Sequence, residues 1–190
     1  MQLIELSKGM KLKLLTIALL FCGVLFSQNW QFFIDSIPTL SSPRACDLTN
    51  DGIKDIVFGG GTDGAFSNNG IMAVNGANGA LLWKRATRNE VFGSAVFQDI
   101  TNDGIKDVFM VGRQAQLLAI NGASGALLWD FFPYNNINPA DSGLYNFYNP
   151  QFIEDINGDG FLDILVSNGG DHAAPAWDTI RPPGHLMVVN

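Results

Sequence analysis

The chain has 190 residues, 47% hydrophobic and 15% charged, with a formal charge of −7. These values exclude a disordered tail, and a pI near 4.5 argues against nucleic acid, whose phosphates need a basic surface. With 21 glycines and 14 Phe against 3 Tyr, the profile is that of a β-rich chain with many tight turns.

The first 27 residues read as a secretory signal peptide. Lys8, Lys11 and Lys13 precede the apolar run from Leu14 to Phe26, which Ser27-Gln28-Asn29 follows. That run is shorter than the ~20 apolar residues a membrane span needs. Met10 opens a more usual leader than Met1, and the bulky Phe21 weakens a lipoprotein reading at Cys22. Removing three Lys and one Glu takes the charge from −7 to −9. Cys46 is then the one cysteine left, which excludes a disulfide scaffold, and its place at an apparent strand end predicts burial.

Beyond the leader the sequence repeats. Asp47-Leu-Thr-Asn-Asp51-Gly52-Ile-Lys-Asp55 returns as Asp99 to Asp107 and, with Asn157 and Phe161, as Asp155 to Asp163. Each copy runs into an apolar stretch at 56–58, 108–110 or 164–166. A second element, Ile71 to Trp83, returns as Leu117 to Trp129 almost residue for residue, and Leu186–Asn190 aligns with its opening. In the second unit four strand-length runs fall near 93–98, 107–111, 116–120 and 126–131, separated by turns such as Asn-Gly-Ala-Ser-Gly.

Four antiparallel strands in a unit of about 50 residues predict an all-β fold, a β-propeller of four-stranded blades. A β-sandwich of similar strands is the rival, and repetition at blade length speaks against it. The blades are expected at about 41–84, 93–131 and 150–190, forming part of a longer ring. Trp30-Gln-Phe-Phe resembles Trp129-Asp-Phe-Phe, so residues 29–34 are expected as the outer strand of a preceding or closing blade.

The acid loops place oxygen atoms at positions 1, 3, 5 and 9, with a backbone carbonyl available at position 7. That is the hard-oxygen set calcium prefers, and glycine at position 6 permits the sharp turn. The expected ligands are Asp47, Thr49, Asp51, Ile53 and Asp55; then Asp99, Thr101, Asp103, Ile105 and Asp107; then Asp155, Asn157, Asp159, Phe161 and Asp163. No His or Cys joins them, which disfavours zinc and copper, and position 12 lacks the Glu of an EF-hand. Hairpin turns alone explain Asn-Asp-Gly, but they need no third carboxylate. Nine of the 18 acidic residues lie in these loops, and up to three calcium ions would bring the mature charge from −9 to −3.

The loops and the strands after them resemble FG-GAP/VCBS repeats, the calcium-binding propeller repeats of integrin α subunits and many exported bacterial proteins. Val91-Phe92-Gly93-Ser94 is similar to the Phe-Gly lead into such a loop. The unit Ala73, Asn75, Gly79, Trp83, which recurs at Ala119, Asn121, Gly125, Trp129, resembles the tryptophan-docking element of pyrroloquinoline-quinone-type propellers, with Asn where that pattern has Asp. The resemblance covers about residues 30–190 and implies the fold and calcium. Trp83 and Trp129 are expected as packing anchors between blades.

Insertions vary on one side of the frame. Loops near 59–70, 112–116 and 168–185, with 84–92 and 132–149, are expected at the strand ends opposite the acid loops, where repeat proteins bind. They carry the candidate ligand residues Tyr134, Tyr145, Tyr148, His172 and Trp177. Asp171, His172, Asp178 and His185 also make a candidate metal or acid–base group. The expected function is an exported binding or adhesion module for a protein or carbohydrate, at the cell surface or secreted, with no membrane span after signal removal. The alternative is the propeller part of a polysaccharide lyase or hydrolase, or of a quinone-dependent dehydrogenase.

Overall fold

The computed structural model describes residues 29–35, 37–38, 41–131, 146–170, 174–175, 177–180 and 184–190. The expected leader, Tyr134, Tyr145, Asp171 and His172 lie outside the described residues. The chain divides after Trp30, and the fold below is that of the unit Gln31–Asn190.

Three antiparallel meanders follow one another. The first sheet runs β1 (Arg44–Cys46), β2 (Asp55–Gly59), β3 (Ser67–Val74) and β4 (Leu81–Thr87), in that order. The second runs β5 (Val96–Gln98), β6 (Asp107–Val111), β7 (Leu117–Ile120) and β8 (Leu127–Asp130). The third holds β9 (Phe147–Ile153), β10 (Asp163–Asn168) and β11 (His185–Val189). The register repeats too: Arg44 faces Val57 as Val96 faces Phe109, and Ala73 faces Trp83 as Ala119 faces Trp129. No helix occurs among the described residues.

The middle sheet explains why its strands read as unbroken apolar runs. Val108 and Met110 of β6, with Leu118 and Ile120 of β7, pack against Val57, Ile71 and Ala73 of the first sheet. Their neighbours Phe109, Val111, Leu117 and Ala119 point the other way, onto Phe147, Ile164 and Val166 of the third. Successive strand residues alternate faces, so a sheet covered on both sides needs apolar residues at every position. All five residues of β6 are buried, Asp107 included. Fully burying a side chain of this size contributes ~1.5–3 kcal/mol, and both faces collect it.

Backbone bonds at one end tie second-strand ends to the start of first strands, from one sheet to the next (Gly60 with Val91, Gly112 with Phe147) and within a sheet (Glu90 with Arg113, Asn146 with Gly169). The Val91 N–H donates to the Gly60 carbonyl at 3.0 Å, Arg113 to Glu90 at 3.0 Å, Phe147 to Gly112 at 3.1 Å and Gly169 to Asn146 at 3.0 Å. Each links the end of a second strand to a segment leading into a first strand. These bonds explain why β5 is shorter than expected: Gly93 is tied to the Val111 carbonyl, outside the β5–β6 ladder.

Other expectations are corrected. Residues 29–34 form no strand in this structure, and Phe32 rests edge-on against Phe58, 5.9 Å between centroids. Tyr148 belongs to strand β9 and not to a loop, because Phe147 beside it is fully buried and anchors the strand start. Cys46 is half-buried. The loop expected at 84–92 begins only after β4 ends at Thr87.

Candidate functional site

At the turn end of each sheet the acid loop folds around its own carboxylates. Asp47 accepts from the amides of Asp51 (3.3 Å) and Gly52 (2.9 Å), and Asp51 from Ile53 (2.8 Å). Asp99 accepts from Gly104 at 3.0 Å and Asp103 from Ile105 at 2.8 Å. Asp155 accepts from Gly158 (2.6 Å) and Gly160 (2.7 Å), and Asp159 from Phe161 (2.9 Å). The position-6 glycines have φ of +84°, +87° and +94°, the left-handed region that a side chain would strain. The amide of Ile105 holds the Asp103 carboxyl below the ordinary aspartate value, helped by Asn121, and the amide of Phe161 does the same for Asp159.

The position-9 aspartates do something the repeat pattern did not announce. Asp55 and Asp107 are fully buried, and Asp163 is 2% exposed. Asp55 Oδ2 takes the amides of Leu48 (2.9 Å) and Thr49 (3.1 Å) and the Thr49 hydroxyl (3.2 Å), while Oδ1 takes the Gly76 amide at 3.0 Å. Asp107 repeats this with Ile100, Thr101 and, at 3.2 Å, Gly122. Each clamps the acid loop to the hairpin turn after the third strand, and several donors offset the cost of burying a charge. In the third sheet Asp163 Oδ2 takes the Ile156 amide at 2.8 Å, and Oδ1 has no partner. Asn190, the last residue, stands in the register of Asn75 and Asn121.

The donor types of each loop fit calcium: oxygen alone, with three carboxylates at positions 1, 5 and 9. Among the described residues, no three His, Cys, Asp or Glu side chains come together as a group able to hold a metal. Thr49 and Thr101 turn their hydroxyls to the position-9 carboxylate, and Asn157 bonds Asp159.

The same end docks one sheet on the next. Trp83, 7% exposed on β4, donates its Nε1–H to the Gly122 carbonyl of the second sheet at 2.7 Å. Gly125 (φ +72°) lies under the indole, where a Cβ would meet the ring at 2.8 Å. Leu48, 2% exposed, packs in the same cluster. Trp129 is half-buried against the second core.

At the opposite end the connections split into two kinds. Residues 88–95 are fixed: Arg88 pairs with Asp130 at 2.6 Å, Arg113 with Glu90 at 2.7 Å and Asp63 at 3.2 Å, and the buried Gln116 bonds Arg88, Asn89 and Arg113. Arg113 also lies over Phe92, 5.4 Å from its centroid, and Phe92 packs on Tyr148 at 4.9 Å. Tyr148 is therefore a half-buried member of a stack. The connections between second and third strands differ, for Phe66 is 65% exposed, Trp177 83% and Ile180 85%. Phe66 was not singled out in the sequence, because it sits alone among Gly, Thr, Asp and Ala with no pattern to mark it. Asp178 accepts the Ile180 amide at 2.9 Å and His185 lies 3.2 Å from Asn168, so neither joins a metal or acid–base group among the described residues.

Two four-stranded meanders and a three-stranded one, repeating in register and packed face to face, define a β-propeller. The family model described as the FAM234A/B beta-propeller matches residues 65–173, more than half of the chain, and the chain belongs to that family. No curated protein matches it.

Proposed function

We propose that this chain is the propeller part of an exported binding or adhesion module, stabilised by calcium at one end and engaging a protein or carbohydrate at the other. The observation that carries the reading is the exposure of Phe66, Trp177 and Ile180 on connections that leave the second strands opposite the acid loops. Large rigid rings left in solvent suit stacking on a sugar or a hot spot for a protein. Tyr134, Tyr145 and His172, which lie outside the described residues, join the proposed ligand set on sequence grounds alone.

The calcium part rests on the oxygen-only donor set and the resemblance to FG-GAP/VCBS repeats. The ion would be held by Asp47, Thr49, Asp51, the Ile53 carbonyl and Asp55, and by the matching residues of the other two loops. When bound it supplies positive charge among carboxylates that otherwise repel. The protein's own residues meanwhile shape each loop through the amide bonds described above. Export rests on the basic and apolar leader.

Binding of the full chain to a glycan array and to cell surfaces tests the ligand end. Replacing Phe66 and Trp177 by Ala is expected to abolish binding and leave melting unchanged. Binding that survives this change, but is lost on replacing Ile53 and Phe161, would put the ligand on the acid-loop end.

A further inference from the structure

The first strands of the three sheets line one cavity of about 700 Å³. Arg44, Val96 and Gln151 enter it from the same register position of β1, β5 and β9, facing Val57, Phe109 and Leu165 of the second strands. Lys54 and Lys106, from position 8 of the first two acid loops, reach the same wall. Three cations thus share a cavity in a chain whose formal charge is −7.

The frame does not require these charges. The third repeat has Leu162 in place of the lysine, and Arg44 gives way to Val96 and Gln151 in the other sheets. Nor do carboxylates neutralise them. Arg88 and Arg113 have ion-pair partners, but among the described residues Arg44, Lys54 and Lys106 have none. The Arg44 guanidinium bonds only its neighbour's carbonyl, Pro43, at 3.3 Å. Asp47 is the one carboxylate on the cavity wall, and its oxygens already accept the Asp51 and Gly52 amides.

We propose that this cavity binds a small oxyanion, a phosphate or carboxylate, through Arg44, Lys54 and Lys106. Three cations against one carboxylate leave the wall net positive, and a concavity of one net sign concentrates counter-ions. A guanidinium offers the planar fork that matches an oxyanion, while the two ammonium groups add point charges on flexible stems. The site is independent of the exposed aromatic side chains, and it borders the first two acid loops through Asp47, Lys54 and Lys106.

The test uses the full chain in calcium-free buffer at constant ionic strength, with inorganic phosphate and citrate as probes. Binding to the folded state alone raises the melting temperature. A concentration a few times the dissociation constant is expected to add about 2–4 °C for a domain of this size. The shift should vanish in a Lys54→Gln, Lys106→Gln double variant and persist in Lys84→Gln, whose side chain is exposed on β4 away from the cavity. Calorimetric titration of Arg44→Gln should show the phosphate affinity falling about tenfold, the loss of one charge-assisted hydrogen bond. A response to phosphate alone or to citrate alone assigns the anion class. No shift with either probe, or a double variant that responds like the parent, would overturn the proposal.

Discussion

The indole N–H of Trp83 donates to the carbonyl of Gly122 at 2.7 Å, across the boundary between the first and second sheets. A side chain of the outermost strand of one sheet is thus held by the hairpin turn of the next. The turn can come this close because Gly125 presents no Cβ to the ring.

Trp83→Phe keeps most of the buried area and removes the N–H. We expect a loss of about 1 kcal/mol, or 2–4 °C in Tm, and Trp83→Ala should cost about 3–5 kcal/mol. Trp129→Phe should cost less, since its ring is half-buried and makes no such bond among the described residues. Chemical denaturation of the three variants checks the order.

Asp107→Asn leaves the shape of the clamp but replaces one carboxylate oxygen by an NH₂ group, which meets either the three donors at Oδ2 or the Gly122 amide at Oδ1. The expected loss is about 3 kcal/mol, because donors inside a buried site are left without an acceptor. The exposed Asp103→Asn should change stability little when calcium is absent. Equal losses for the two variants would contradict the clamp.

Asp103 and Asp159 titrate below the ordinary aspartate value because amides donate to their carboxylates. A depressed folded value means that the stabilisation is fully present above the unfolded value, about pH 3.9, and is lost as pH falls through the folded one. Calcium-free melting followed from pH 5 to pH 2 should therefore decline mainly below about pH 4, and less steeply in Asp103→Asn.

The repeat made the frame legible. Position-9 aspartates, glycines at φ > 0 and the tryptophans recur at fixed offsets, so strands and sheet order could be placed before any coordinates. Roles were harder. Spacing marks Asp55 and Asp107 as calcium ligands but does not show that each also bonds the amide of Gly76 or Gly122, residues 21 and 15 positions away. A contact of that kind depends on two turns meeting at one end of a sheet, which spacing within a loop does not express. Tyr148 falls at the end of the connection expected at 132–149, but it lies in β9 and packs on Phe92, from the segment between β4 and β5. The cation-lined cavity is likewise invisible in sequence, since Arg44, Lys54 and Lys106 meet only when first strands lie side by side.

What the acid loops are for is read directly by calorimetric melting of the chain in calcium and in chelator, with Asp103→Ala beside it. A calcium site in each loop predicts a higher Tm in calcium, by about 2–4 °C for each kcal/mol of binding linkage, and a reduced shift in Asp103→Ala. Identical melting in calcium and chelator, with Asp103→Ala equally indifferent, would show that the loops are held by their own amides alone and contradict the calcium reading.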